Sequence, residues 1–586
     1  MSRTPEIHRV RRLPTKKDAV VFRVKTALLQ ARHAAADSLD KGLSKHGKGS
    51  HLRAERTIAV STTPLWTESE PEERFLLAGK IHNLRLAVKE LDGVEVPAGK
   101  VLSFWKQIGR ASRLKGFVVG RELREGCIIP NVGGGLCQLS NALYDAALQA
   151  GFEIVERHAH TQVIPGSLAE KGRDATVFWN YVDLRFRSEN VFRIEAKLDA
   201  ENLTIKFRGT RGTKPESAAA KLSVAGNGLN SCATCETTEC HRVIRTGRNV
   251  DFGRTAYLVD EFVPEFDRYI LENRTGSDCM MIPLDGRRFS RANYAWSTGG
   301  FASVRQSVLV TAKRSYRSRK LAAQGAARQR NLLLMYEELA ESFAKRLTYD
   351  VLHVVVQQNL LPFLWRGGHL GGRTFDVLMT ALPMNELQRT LDRAHSLHPE
   401  GRTLSDFRAD PELVAAETEA LRHARRLITP HTGIASLFPN RGHLVEWMRS
   451  VVSHRKVRKN SQPVIVFPAS TVGRKGCYEL REALRGLDVE LVLLGPVIEE
   501  PDFWNGFDTQ RGSDDWLDIA DAVVLPAYVE HRPRRLLAAA GAGIPVIASK
   551  ACGVANVEEI ETIETGDTVR LRELIVSVVA GCRAMV

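Results

Sequence analysis

The 586-residue sequence predicts a multidomain chain in which an α+β module is followed by two doubly wound, parallel α/β domains. Three observations lead there. The chain is too long for a single hydrophobic core. In its last third, apolar strands and helical stretches take turns: "PVIVFPAS", "GCYELREALRGL", "VELVLLG", then "DIADAVVLPAYVEHRPRRLLAAAGAGIPVIASKACG". That rhythm builds a parallel sheet. Nearer the N-terminus, "VFRIEAKLDAENLTIKFRG" alternates apolar and polar residues, as half-buried antiparallel strands do. A hydrophobic share of 43% and a charged share of 26% fit an ordinary globular composition.

Texture divides the chain into a basic helical arm (1–57), the α+β module (58–212), a small-residue linker (213–247) and two α/β domains (248–450 and 451–586). The net charge is +15, and the arm holds fourteen Lys or Arg against five Asp or Glu. Such an arm suits an anionic membrane surface or an acidic partner, or is simply a solvated extension. It lacks the interleaved aromatics of a single-strand nucleic-acid binder, so nucleic acid is not the expected partner. "VVFRVKTALLQARHAAADSLDKGL" has helical spacing. No apolar run follows the basic opening, and "VLHVVVQQNLLPFLW" is too polar to span a bilayer. The expectation is a cytoplasmic protein whose nine cysteines are free thiols or metal ligands rather than disulfides.

The module is organised around "NVGGGLCQLSNALYDAALQAG". Gly133 to Gly135 run into a helical pattern of Leu139, Leu143, Ala146, Ala147 and Ala150, closed by Gly151. Cys137 falls in the first turn, where open N–H groups and the positive end of the helix dipole favour a thiolate. His158 and His160 follow in "ERHAHT", and Asp174 in "GRDATVFW". Cys137, His160 and Asp174 are the right types for nucleophile, base and orienter. The competing reading makes Cys137 a small buried hydrophobe.

These strings resemble the VanW family. "GGGLCQLSNALYDAALQAG", "EIVERHAHT" and "GRDATVFWNYVDLRF", preceded by "GKIHNLRLA", "VPAGKVLSFW" and "GFVVGRELREG", extend the likeness over about Ile58 to Arg208. The resemblance brings no established reaction, so the roles given to Cys137, His160 and Asp174 rest on their chemistry alone.

Cys232, Cys235, Cys240 and His241 lie within ten residues in "SCATCETTECHRV". CxxC spacing with a third soft ligand suits zinc or an iron–sulfur cluster, with His241 or Cys279 completing the set. A loop of free thiols is the alternative. Further on, "RTAYLVDEFVP", "DCMMIPLDG", "SVLVTA" and "VLHVVV" read as short strands, and the basic stretch Lys313 to Arg330 as a solvated helix face or a phosphate contact. Ligands gather at the carboxyl ends of parallel strands, so His353, Gln357 and Asn359 are expected to edge a cleft, with His353 as a candidate acceptor contact. "RRLITPHT" repeats the arrangement with Thr429, Pro430 and His431, where a lone histidine is usually structural.

In the last domain the turn through Gly473 and Gly476 sets Arg474 and Lys475 beside a helix start, which suits a diphosphate. Glu530 lies at the next strand–helix junction, where a carboxylate can accept from ribose hydroxyls. "VGRKGCYELREAL" and "ADAVVLPAYVEHRPRRLLAAAGAGIPVIAS" are similar to glycosyltransferase family 4, whose retaining enzymes pair two Rossmann-like domains in the GT-B manner. The likeness is clear over about Gln462 to Val554 and weaker over Arg248 to Ser450. It implies that Arg474 and Lys475 hold the donor diphosphate and that Glu530 is the first Glu of an E-x7-E motif. Its second Glu is here Ala538. Three functions follow as expectations: sugar transfer from a nucleotide sugar to an unknown acceptor in glycan or envelope metabolism; thiol-dependent acyl transfer or hydrolysis at Cys137, with the α/β part as a sugar-binding scaffold; or a non-enzymatic, metal-clipped binding protein.

Overall fold

The computed structural model describes residues 15–40, 42–67, 71–124, 127–160, 166–213, 230–231, 252–321, 325–405, 408–449 and 462–584. The cysteine cluster Cys232, Cys235, Cys240 and His241 lies outside them. The chain forms two compact units, one of Met1–Arg254 with Thr348–Leu352 and Gly367–Thr374, the other of Thr255–Leu347, His353–Arg366 and Phe375–Val586.

The first unit is α+β. Its main sheet is antiparallel, in the order Thr57–Pro64, Asn202–Gly209, Phe192–Leu198, Glu95–Val96. Burial alternates along the first three strands, so one face of the sheet meets the core. Helices Pro71–Leu91 and Leu136–Gln149 pack against that face. Phe152, Phe186, Phe192 and Phe207 are stacked or tilted on one another between them. A hairpin, Val119–Arg124 with Cys127–Val132, forms a second small sheet. Val101–Ser103, Arg185–Arg187 and Glu153–Glu156 form a third. Of "ATVFWNYVDLRFRS" only Arg185–Arg187 is a strand, because Phe178 and Val182 bridge across a tight turn that ends the alternation.

The second unit holds two Rossmann-like sheets in succession, the GT-B-like pairing that the sequence anticipates. Seven strands, first to seventh, are Arg254–Leu258, Cys279–Ile282, Ser303–Gln306, Val351–Gln357, Thr374–Leu378, Arg426–Thr429 and Gly442–Leu444. They lie in the order third, second, first, fourth to seventh. The six strands of the other sheet are Val464–Phe467, Glu490–Leu493, Asp508–Arg511, Ala522–Leu525, Val546–Ser549 and Ile560–Ile563, ordered third, second, first, fourth to sixth, with every pair parallel. In both, the order reverses between first and fourth strands, which opens a crevice at their carboxyl ends. "SVLVTA" is not a strand. The chain leaves the sheet after Gln306 and Val308–Arg319 is helix, with Leu309 facing solvent. The last helix, Thr568–Ala584, buries Leu571, Ile575 and Val579 in the core of the second sheet, so it stays with that sheet instead of crossing back.

Candidate functional site

The helix Leu136–Gln149 opens from Gly135, held at φ +101°, with no side chain capping its first amides. Only glycine adopts that conformation without strain. It ends at Gly151, φ +72°, where the Phe152 and Gly151 amides reach back to the Ala147 and Leu148 carbonyls. The start is seated backbone against backbone. A Cβ on Gly134 would collide with the Gly120 main chain, one on Gly120 with the Gly134 carbonyl, and one on Gly79 with the Val119 carbonyl. The Lys80 side chain lies against Gly135, where burial, with Arg121 adding, pulls its ammonium down to about 7.

Cys137, half-buried in the first turn, meets His160 and Asp174. His160 donates from Nδ1 to Asp174 Oδ1 at 2.6 Å, and its backbone amide donates to Asp174 Oδ2 at 2.5 Å. The ring also acts on the Cys137 thiol, and each group favours the charged form of the other. Asp174 is fully buried. Burial pulls the imidazolium down, but the Asp174 and Cys137 partners outweigh it and hold His160 up to about 10. Burial likewise pushes the thiol up, yet His160, the Val177 carbonyl and Thr176 bring Cys137 below its ordinary value. The Thr176 hydroxyl lies 3.7 Å from the sulfur. The result favours a thiolate–imidazolium pair. His158 stands apart, exposed beside Glu156 at 3.4 Å.

Two residues of the same helix, which sequence reading passed over, fix this arrangement. Asn141 Oδ1 accepts from the Ala175 amide at 2.7 Å, and the Ser140 hydroxyl donates to the Ala175 carbonyl at 2.5 Å. The segment carrying Asp174 is thereby bound to the helix carrying Cys137. Their position one turn on from Cys137 was the available signal.

The second site lies at the facing carboxyl ends of the two Rossmann-like sheets. A cleft of about 160 Å³ is lined there by Thr380, Thr429, His431, Trp447, His531 and Arg532, among others. His431 is a strut, as its place after a strand suggested. Its Nδ1 accepts from the Ile434 amide at 3.1 Å, and its Nε2 faces the Glu530 and Ala551 carbonyls at 3.1 and 3.2 Å. His531, which the sequence reading missed, is held neutral by burial and accepts at Nε2 from the Leu382 amide at 3.1 Å. Lys475 and Glu530 come together, but with each other, at 2.8 Å, and Lys475 also donates to the Val529 carbonyl. Burial raises the Glu530 carboxyl, and the charge of Lys475 outweighs it and brings it down. The Arg474 carbonyl accepts from Tyr528 and Val529.

The loop's opening is filled. The Gly473 amide donates to Glu499 Oε1 at 2.6 Å and to Thr403 at 2.9 Å, while the Leu404 side chain sits on Gly473. His353 does not edge the cleft: it is the third residue of its strand, 3.3 Å from Asp376 and within reach of Arg425, in an ion-pair group toward the amino end. Gln357 and Asn359 do lie at the carboxyl end, bound to the Asp260–Glu261 turn. Cys279 is buried in a strand. Among the described residues, no group of three or more His, Cys, Asp or Glu is placed to hold a metal ion.

Residues 79–208 match the family model described as VanW like protein. They form a VanW domain. Over 108 residues the chain is 37% identical to the uncharacterized protein YoaR of Bacillus subtilis, covering 18% of this chain and 35% of that one. Over 129 residues it is 32% identical to the vancomycin B-type resistance protein VanW of Enterococcus faecalis, covering 21% and 47%. The chain thus spans between a third and a half of the curated relatives it matches. Among solved structures, it is similar to sucrose-phosphate synthase from Thermosynechococcus elongatus (13% identity, TM-score 0.37, 56% of this chain and 90% of that one). It is also similar to Anabaena HepE in complex with UDP and glucose (13% identity, TM-score 0.35, 57% and 94%). The chain thus joins a segment that matches the VanW family model to two Rossmann-like sheets.

Proposed function

We propose that the VanW domain is a thiol-dependent acyl transferase or hydrolase, with Cys137 as nucleophile, His160 as base and Asp174 as orienter. The observation that carries the reading is His160 held between a buried carboxylate and a thiol whose ionisation it favours. In the reaction, the Cys137 sulfur bonds to a carbonyl carbon and the carbonyl oxygen takes up the electron pair. The Leu136 and Cys137 amides, at the start of the helix, would stabilise that oxyanion. On collapse the bond to the leaving group breaks and His160 gives it the proton. His160 then takes a proton from water or an acceptor, whose attack on the thioester restores the thiol. Asp174 keeps the ring oriented throughout. The test is alkylation by iodoacetamide at neutral pH. Cys137 reacting faster than every other cysteine supports the reading, and Cys137 reacting no faster than an ordinary thiol would remove it.

The crevice between the two Rossmann-like sheets favours a second reading, sugar transfer from a nucleotide-sugar donor to an unknown acceptor, with Arg474 and Lys475 on the diphosphate. Glu499 must then leave the Gly473 amide and Lys475 must part from Glu530 before a donor enters. Ala538 in place of the second Glu leaves the ribose without that partner. A thermal-shift screen with nucleotide sugars separates the cases. A rise in Tm that Lys475→Ala abolishes supports donor binding. No shift with any donor would remove the sugar-transfer reading.

A further inference from the structure

The helix Lys16–Leu39 meets the VanW unit with its more polar face and turns its apolar face to solvent. Its N-terminus is closed by a capping box between Thr15 and Asp18. At 3.6 residues per turn, Ala19, Phe22, Thr26, Gln30, His33 and Asp37 share one side, and each is less exposed than its neighbours. Phe22 meets Phe178 edge-on at 6.1 Å under the Arg124 guanidinium, Gln30 donates to the Trp179 carbonyl, and Arg185 pairs with Asp37 at 2.7 Å.

The opposite side carries Val20, Val21, Val24, Leu28 and Leu39, with 59, 52, 55, 67 and 82% of their surface exposed. Ala31 and Ala35 continue the stripe, also exposed. A surface helix of a globular protein normally buries that stripe. A contiguous apolar band left in water marks a contact surface. Lys17 stands at its start, Lys25 and Arg32 border one edge, and all three are exposed.

We infer that this helix docks the protein on an anionic lipid surface, lying in the plane of the headgroups. The valines and leucines would enter the acyl boundary while Lys17, Lys25 and Arg32 meet lipid phosphates. Charge selects this occupant: along the stripe and its edge the exposed Lys17, Lys25 and Arg32 outnumber the one carboxylate, Asp18, a balance that suits lipid phosphates. The inference is independent of the proposed thiol chemistry.

Co-sedimentation of the full chain with vesicles tests it. Binding is expected to phosphatidylcholine vesicles containing phosphatidylglycerol and to fall as salt rises. Val24→Glu with Leu28→Glu, both exposed, should weaken it about tenfold or more while leaving the Tm and the alkylation rate of Cys137 unchanged. Lys25→Glu with Arg32→Glu should remove the preference for phosphatidylglycerol. Absence of vesicle binding, binding that survives both pairs of substitutions, or a lipid-free dimer dissolved by the Val24 and Leu28 changes would each overturn it.

Discussion

Two helices of this chain start from glycine-led turns with a cysteine at their first or second position, and the two cysteines are driven in opposite directions. At Gly135 the neighbours of Cys137 are His160 and Thr176, and its ionisation is eased. At Gly476, burial first, then Glu499 and Glu479, push Cys477 up, and its side chain is fully enclosed. A helix dipole is worth only about 1 kcal/mol at such a site. What decides reactivity is the charge within hydrogen-bond reach and whether anything covers the opening.

The contrast can be broken first at sulfur. Cys137→Ala should abolish any acyl-transfer turnover and the fast alkylation, while Cys477→Ala leaves both intact; intact-mass kinetics after iodoacetamide reads this. Asp174→Asn comes next. With the orienter's charge gone, the pH profile of alkylation should move up toward the ordinary thiol range, and the rate near neutrality should fall about tenfold to a hundredfold. Leu404→Ala empties a fully buried site beside Gly473 and should cost about 2–5 kcal/mol in urea unfolding. Glu499→Gln sharpens the comparison from the other side. By removing the carboxylate charge at the Gly473 amide it should make the second helix start accept inorganic phosphate or a nucleoside diphosphate, seen as a ligand-dependent rise in Tm absent from the wild type. The smallest effect is pH-linked. The His160 imidazolium, raised in the folded state, contributes stability that is complete below the ordinary histidine range and is lost as pH climbs through about 10. The difference in Tm between wild type and His160→Gln should shrink over that rise.

Local pattern made the thiol helix legible from its glycines to its Gly151 end, and it made the second sheet legible from strands that are apolar throughout. The three residues at the sulfur were legible as chemistry. Their meeting was not, because it depends on Ser140 and Asn141 holding a segment more than thirty residues away. The same limit hid the filled loop. Leu404 and Glu499 are remote in sequence from Gly473, and only packing brings them there. His353 was misjudged because a strand's apolar run does not show which of its residues lies at the carboxyl end. "SVLVTA" was misjudged because branched residues look the same at a helix start as in a strand.

The seat of Gly79, Gly120 and Gly134 has a bearing on how this domain can vary. Three separate segments touch through bare main chain there, so the sulfur's location is set by side chains that do not exist. A single added methyl would not reach the thiol. It would meet backbone that has to give way, and so would displace the floor on which the helix stands.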